Sequence, residues 1–267
     1  MKGLSKTALF IFAISLLLPL VFTVFGSFID AQGVMSLPPK VTAHYTLQNY
    51  QKVFEYIKVR WIVNTALLTG IGVSLSVIIT TLAGFGLYLD YNKKIVIVLI
   101  VSTVIPRYAI LIPQFLVIRY MGLTNTLIAC ALPVLVTPLH ILLAKTFFDA
   151  FPKSIIDAAQ IDGLSRFGAL WRIILPESKH LLIALGILKA TELWGDYLWQ
   201  YIVLSRGNKK TFFIGAMQFI NQAGGGDALR INPVGMSLAI STLLVIPFIV
   251  LFSAGSRYFM YELGGVE

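Results

Sequence analysis

The sequence contains little charge. Only 12% of its 267 residues are Asp, Glu, Lys or Arg, whereas 57% are hydrophobic. A soluble domain carries about 25% charged residues, so this composition excludes an ordinary water-soluble domain. The mean hydropathy of +0.84 agrees with that exclusion. The composition favours a protein that crosses a membrane several times.

Cysteine and nucleotide-binding motifs are also scarce. The single thiol, Cys130, lies in an apolar run, so no disulfide can form within the chain. We expect it to be a small buried hydrophobic residue. The phosphate-binding pattern G-x-x-x-x-G-K-[S/T] is missing, and the nearest sequence, at 207–211, lacks its first glycine. We therefore expect neither a cofactor nor a metal in this chain.

The net charge of +9 does not indicate nucleic-acid binding. The basic residues are scattered, and no basic run is longer than the pairs Lys93-Lys94 and Lys209-Lys210. Basic residues at the ends of membrane spans, close to anionic lipid, are the better interpretation. We expect contact with membrane lipid and none with nucleic acid.

Apolar runs long enough to cross a bilayer recur along the chain. A helix needs about 20 apolar residues for this, and backbone groups in lipid must be satisfied internally, which favours helices. The prediction is a single all-α membrane domain over 1–267 with six transmembrane helices, near 8–29, 62–89, 95–118, 126–148, 181–204 and 235–259. The first run is longer than a secretory signal core and lacks a clear cleavage site, so we interpret it as a retained span.

Six spans place both termini on one side of the membrane. The basic residues are almost balanced between the two sides and do not decide the orientation. The short turn at 91–94 contains Lys93 and Lys94 and mildly favours cytoplasmic N- and C-termini.

One polar, helix-patterned stretch interrupts the apolar runs. It spans 157–176 and reads DAAQIDGLSRFGALWRIILP. Pro152 and Ser154 open the predicted helix, and Ser154 with Asp157 fits a capping box. Gly163 fits a left-handed stop, and a second short helix is expected from about Ser165. The apolar side of the first helix is expected to contain Ile155, Ile156, Ala158, Ala159 and Ile161. Such a segment either docks a partner in water or lies on lipid as an amphipathic helix.

This stretch resembles the EAA loop of ABC-transporter permease subunits. The matching residues are Asp157-Ala158-Ala159, Asp162-Gly163 and Ile173-Ile174-Leu175-Pro176. Asp157 replaces the usual Glu, and Leu164 stands where a small residue is usual. Further blocks are similar to the carbohydrate-uptake subfamily, in particular to the second permease of a maltose-type pair: 45–50, Asn64-Thr65, Ile105-Pro106, Ile112-Pro113, 122–126 and 194–199. Gly195 departs from the Asn usual in the last block.

The resemblance implies a transport mechanism with several partners. The loop at 152–178, between spans four and five, would be the coupling helix, with Asp157, Ala158, Ala159, Asp162 and Gly163 in contact with an ATPase subunit. The partners implied are a second permease subunit, two ATPase subunits that bind ATP and Mg²⁺, an extracytoplasmic solute-binding protein and a carbohydrate. The location implied is the inner membrane of a bacterial or archaeal cell. The chain itself would not be an enzyme.

Ionisable residues inside the predicted fifth span are candidates for the substrate pathway, because such groups are costly in lipid. Lys189, Glu192 and Asp196 have i,i+3 and i,i+4 spacing, which can place them on one helix face. Trp194, Tyr197 and Tyr201 lie nearby and could stack on sugar rings, and Arg107 could pair with either acid. An internal ion pair with an interfacial aromatic belt is the alternative.

The loop at 205–233 contains Gly224, Gly225 and Gly226. By resemblance to maltose-type relatives it would dock the solute-binding protein. A flexible turn is the alternative.

Three other functions stay open. The same machine could import a glycerol phosphodiester or a polysaccharide fragment. An ion-coupled secondary transporter would need an inverted repeat or matched acids in two halves, and neither is visible. An intramembrane enzyme would need paired catalytic groups, whereas His44 and His140 look isolated in the sequence.

Overall fold

The computed structural model describes residues 2–30, 44–204, 209–222 and 233–263. Within these ranges the backbone is almost entirely helical, and the only extended pairing is an isolated antiparallel bridge between Ile29 and Tyr45. The α-helices are Lys2–Gly26, Gln48–Tyr56, Val59–Leu89, Lys93–Val104, Leu111–Tyr120, Leu127–Leu135, Pro138–Asp149, Lys153–Ile161, Arg166–Ala169, Leu175–Glu177, Lys179–Gly195, Tyr197–Val203, Phe212–Gln222 and Pro233–Leu263. A 3₁₀ turn forms at Arg107–Ile110, and a π-helical turn forms at Leu170–Ile174.

Two of these helices are long and apolar enough to cross a membrane alone, Val59–Leu89 and Pro233–Ser253. Two further helix pairs qualify only when each pair is taken together. The pair Lys93–Val104 and Arg107–Tyr120 bends by 94°, and the pair Leu127–Leu135 and Pro138–Asp149 bends by 50°. By length and composition the described residues therefore contain two spans, or up to four. The six-span topology stays a prediction.

The breaks have a local cause in proline. Ile105 and Thr137 precede Pro106 and Pro138, and both have extended backbone angles. The proline ring disfavours the α conformation at the residue before it, and its nitrogen cannot donate a helix hydrogen bond. Thus the segments predicted as spans over 95–118 and 126–148 each consist of two helices that meet at a proline. The segment at 181–204 is also divided, at Asp196.

The chain forms two compact units. One comprises residues 1–62 and 211–250. Within it the buried Asn49 amide donates to the carbonyls of Ser27 and Ile29, at 2.8 and 3.0 Å, and the hydroxyls of Ser27 and Tyr50 lie 2.7 Å apart. These bonds tie the end of the first helix to the Gln48–Tyr56 helix.

The second unit comprises residues 63–210 and 251–267, and it contains both the coupling segment and the ionisable cluster of the predicted sites. One of its apolar clusters brings together the helices Val59–Leu89, Pro138–Asp149 and Lys179–Gly195 with the polar stretch. Its buried members are Phe85, Tyr88, Ala144, Phe148, Ile156, Ala159, Ala169, Leu170, Ile174, Leu181 and Leu185. The polar stretch is therefore seated on the helix bundle through its own apolar residues.

Coupling segment and candidate transport pathway

The helix Lys153–Ile161 ends as its glycine predicts. Gly163 has a φ of +84°. Its N–H donates to the Gln160 carbonyl at 3.0 Å, and the Leu164 N–H donates to the Ala159 carbonyl at 2.9 Å. These two bonds form a Schellman motif, which requires a left-handed residue at the position that Gly163 occupies. The predicted glycine stop is confirmed.

The predicted capping box does not form. The helix begins at Lys153, directly after an extended Pro152, and no side chain caps its first turn. Ser154 is already inside the helix, so its hydroxyl is not at the position where a cap accepts from the backbone. Asp157 is consequently not engaged in a cap, and its side chain is exposed.

Only part of the predicted apolar side of this helix is buried. Ile156 and Ala159, three residues apart, are 4% and 3% exposed, as expected for residues that share one face. Ala158 is exposed, and Ile161 is 86% exposed, so these two members of the apolar side do not pack against the helices. Ala159, which the resemblance placed in contact with an ATPase subunit, is instead buried within this chain. The outward face therefore carries Asp157, Ala158, Ile161 and Asp162.

The second short helix also begins where the sequence predicts. Ser165 is its N-cap, and the Ser165 hydroxyl accepts from the Gly168 N–H at 3.0 Å. Leu170 and Ile174 are fully buried, whereas Phe167 and Trp171 are 61% and 58% exposed. The segment thus presents two large aromatic side chains beside the outward face of the preceding helix.

Lys189 lies at the centre of a buried polar cluster. Its ammonium donates to Glu192 Oε2 at 2.6 Å, to Thr137 Oγ1 at 2.6 Å and to the Val134 carbonyl at 2.5 Å. The Lys189 side chain is 1% exposed, and the Glu192 side chain is 31% exposed. An ammonium has three N–H donors, so Lys189 has none left for a solute, whereas Glu192 is accessible.

Arg107 and Asp196 form a second ion pair. Arg107 begins the 3₁₀ turn after the break at Pro106, and Asp196 lies between two helices. The Asp196 side chain is 2% exposed and that of Arg107 is 37% exposed. Because the helix is interrupted before Asp196, this carboxylate does not continue the helical face of Lys189 and Glu192.

The aromatic residues predicted to contact the solute lie on both sides of Asp196 in the sequence. The rings of Tyr197 and Tyr201 are 5.5 Å apart between centroids, with an angle of 34° between their planes. Tyr201 is exposed, whereas Trp194 and Tyr197 are half-buried. Gly224, Gly225 and Gly226, the predicted docking residues for a binding protein, lie outside the described residues.

Two members of the cluster were not predicted. Thr137 accepts from Lys189, and its hydroxyl is 3.4 Å from Glu192 Oε2. The His140 Nε2 lies 3.6 Å from Glu192 Oε1, so His140 is not isolated, as its place in the sequence suggested. No pattern in the sequence connects 137–140 with Glu192, because only the packing of two distant segments brings them together.

The described fold defines a class: a helical membrane protein with broken helices, an ionisable cluster beside the breaks and a structured polar segment between helices. The family follows from comparison with known proteins. The chain matches the family described as "Binding-protein-dependent transport system inner membrane component" over residues 92–260, and it belongs to that family. The resemblance to permease subunits is thereby confirmed. Members of this family are transport components rather than enzymes.

Relatives whose names state a transported solute support the same family. The chain is 29% identical over 229 residues to "Arabinooligosaccharides transport system permease protein AraQ" of Halalkalibacterium halodurans. The aligned region covers 83% of this chain and 80% of that protein. It is 27% identical over 206 residues to "Lactose transport system permease protein LacG" of Rhizobium radiobacter. That aligned region covers 76% of this chain and 72% of the relative.

A solved structure shares the fold. A chain from the crystal structure of a bacterial ABC transporter involved in the import of the acidic polysaccharide alginate superposes with a TM-score of 0.84, covering 97% of this chain and 96% of that one. The sequence identity is 20%, so this likeness establishes the fold alone.

Proposed function

We propose that the chain is one of two permease subunits of an ATP-driven, binding-protein-dependent importer of a sugar or oligosaccharide. The observation that carries this proposal is the family match over 92–260, which includes the coupling segment and the ionisable cluster. The solutes named for the relatives support a carbohydrate. Besides arabinooligosaccharides and lactose they include polygalacturonan and rhamnogalacturonan, for the Bacillus subtilis protein YtcP, which is 24% identical over 259 residues.

The proposed topology has six spans, with both termini in the cytoplasm of a bacterial or archaeal cell. The two long helices and the two bent pairs account for four of these spans. The helices Lys2–Gly26 and Lys179–Gly195 with Tyr197–Val203 would supply the other two. This arrangement keeps the segment at 152–178 on the cytoplasmic side, between spans four and five.

We assign ATPase docking to the outward face of the Lys153–Ile161 helix and its glycine stop. Asp157, Ala158 and Asp162 are exposed there, and Ala159 anchors the helix from below. The fixed turn at Gly163 sets the direction of this face. Two ATPase subunits would bind ATP and Mg²⁺, and their closure would move the helix together with the cluster on which it is seated. A rigid seat is needed for such a movement to reach the spans.

Solute contact is assigned to Glu192 and to the aromatic residues Trp194, Tyr197 and Tyr201. A half-exposed carboxylate can accept hydrogen bonds from sugar hydroxyls, and aromatic rings can stack on the apolar faces of a sugar. Arg107 and Asp196 would border the pathway as an ion pair. Lys189, which the sequence placed on the pathway, is not proposed to contact the solute, because its three N–H donors are already occupied. The loop with Gly224, Gly225 and Gly226 remains the proposed site for the solute-binding protein.

A glycoside other than a simple sugar is the alternative solute. The support is the relative "Sulfoquinovosyl glycerol transport system permease protein SmoH" of Agrobacterium fabrum, 30% identical over 159 residues, which cover 57% of this chain and 56% of that protein. The same ATP-driven mechanism would apply.

The coupling assignment is tested by co-purification with a candidate ATPase subunit from the same organism. We expect Asp157→Lys to lose the ATPase from the detergent-solubilised complex. Glu177→Lys is the matched control, because Glu177 is also exposed and its substitution makes the same change in charge outside the docking helix. Loss of the ATPase from Asp157→Lys alone supports the proposal. Equal retention of the ATPase by both variants would show that the outward face of the Lys153–Ile161 helix is not its docking surface.

A further inference from the structure

Two prolines leave backbone carbonyls without their usual partners: Pro133, inside the helix Leu127–Leu135, and Pro138, at the break before Pro138–Asp149. In a continuous α-helix each carbonyl accepts from the N–H four residues later. For Ala129 and Val134 the residues at that position are Pro133 and Pro138, which have no N–H. An unpaired carbonyl inside a membrane protein is costly, so a substitute donor is required at both places.

Both substitute donors come from the segment 179–203. The Trp199 indole Nε1 donates to the Ala129 carbonyl at 3.1 Å. The Lys189 ammonium donates to the Val134 carbonyl at 2.5 Å. Each proline-released carbonyl is therefore paired with a side chain from the same neighbouring segment.

A third carbonyl, that of Leu135 beside the break, accepts a hydrogen bond from a different helix. The Ser76 hydroxyl of the Val59–Leu89 helix donates to the Leu135 carbonyl at 2.7 Å. Ser76 and Lys189 are each 1% exposed, and Trp199 is 2% exposed. Water cannot readily replace donors that are buried to this extent, so the bend depends on these three side chains.

We propose that Lys189 and Trp199 are positioning residues that hold the bent span in one shape by supplying the donors that Pro138 and Pro133 lack. Lys189 has a second task, because the same ammonium orients Glu192 and Thr137. The position of the accessible Glu192 carboxylate is thereby tied to the bend. This assignment rests on hydrogen-bond geometry within one compact unit and does not depend on the identity of the solute or on the ATPase.

The first test is a double-mutant cycle on the thermal unfolding of the full chain in detergent. Trp199→Phe removes the donor and leaves a partly filled space. We expect it to lower the unfolding temperature by at least about 2 °C when Pro133 is present. In a Pro133→Ala background the loss should be clearly smaller, because a backbone N–H at position 133 can take over the Ala129 carbonyl. The space left by the indole is common to both backgrounds and cancels in the cycle.

Lys189→Met with and without Pro138→Ala forms the second cycle, measured in a Glu192→Gln background so that no carboxylate is left without its counter-ion. Leu185→Ala is the control, since Leu185 is also buried and belongs to the apolar cluster with Phe85 and Phe148; its effect should be the same in every background. If Lys189→Met prevents folding, the uncharged Trp199→Phe cycle still decides. Losses that are equal with and without the prolines would overturn the proposal.

A distance measurement separates positioning from general stability. Cys130→Ala removes the only cysteine. Spin labels on new cysteines at Ile128 and Leu143, which are 50% and 42% exposed on either side of the break, then report the bend by pulsed electron resonance. We expect Lys189→Met to broaden the distance distribution, and added Pro138→Ala to give one longer distance. An unchanged distribution in Lys189→Met would show that Lys189 does not set the bend.

Discussion

Arg107 and Asp196 form an ion pair across 89 positions of sequence, and each of them lies at a helix interruption. Arg107 follows the extended backbone at Pro106, and Asp196 separates Lys179–Gly195 from Tyr197–Val203. Asp196 is almost completely buried, whereas Arg107 keeps part of its side chain accessible. The ion pair therefore links the two helix interruptions through a carboxylate that has almost no contact with solvent.

This asymmetry predicts unequal effects of the two neutralising substitutions. Arg107→Met leaves a buried carboxylate without a partner and should cost about 3 kcal/mol of stability, the lower end of the range for a broken buried pair. Asp196→Asn should cost less, because the remaining guanidinium can turn toward solvent. Thermal unfolding of both variants in detergent checks the order. An equal or reversed order would contradict the burial assigned to Asp196.

Gly84 lies where the helices Val59–Leu89 and Pro138–Asp149 approach each other closely. A Cβ at this position would lie 2.6 Å from the Cβ of Ala144 and 3.0 Å from the backbone nitrogen of Lys145. Since backbone cannot move aside cheaply, Gly84→Ala should destabilise the protein by about 1–3 kcal/mol, as overpacking does.

Gly86 provides the control on the same helix. A Cβ there would meet nothing within 4 Å, so Gly86→Ala should be neutral or stabilising by up to about 1 kcal/mol through helix propensity. Paired unfolding measurements compare the two substitutions. If both destabilise equally, the contact between the Gly84 backbone and Ala144 does not limit packing.

Ala158 and Ala159 are neighbours that should respond differently to enlargement. Ala159→Leu forces a large side chain into the apolar cluster and should cost about 1–3 kcal/mol. Ala158→Leu adds bulk to an exposed face and should leave the unfolding temperature nearly unchanged. On the proposed function it should instead weaken association with the ATPase. Unfolding and co-purification measured on both variants separate these effects, and a stability loss at Ala158 would show that this face is covered.

Gly163 should tolerate a Cβ sterically but not conformationally. Nothing lies within 4 Å of the position that its Cβ would take, while its φ of +84° is left-handed. Gly163→Ala should therefore cost about 1–2 kcal/mol from backbone strain alone and should reorient the docking face. Gly163→Asn should cost less, since Asn visits this region more readily.

Gly122 is the matched control for this substitution, with a φ of +69° and equally open space around it. Gly122→Ala should show a similar loss of stability. It should retain the ATPase in co-purification, whereas Gly163→Ala should lose part of it. Equal retention by the two variants would mean that the turn at Gly163 does not orient a docking surface.

Short-range features of the polar segment were predictable. Gly163 ends its helix, and Ser165 caps the next one, because both roles depend on the residue itself and its immediate neighbours. The capping box at Ser154 was wrong, since Pro152 starts the helix before Ser154 can act as a cap. The sequence grouped Ala158 and Ala159 together, whereas the structure exposes Ala158 and buries Ala159, because apolar character alone does not say which residues of a helix meet the bundle.

The sequence by itself determined the class of the protein. Scarce charge and long apolar runs require membrane helices, and the motifs around Asp157 and Gly163 indicate the transporter family. Only the tertiary structure decided how the ionisable residues combine. Arg107 meets Asp196 rather than Glu192, and Lys189 meets a carbonyl that Pro138 leaves unpaired. A sequence shows which residues lack local partners. Which distant residue satisfies them depends on how the helices pack, because buried polar groups pair with whatever donor or acceptor the packing brings within reach.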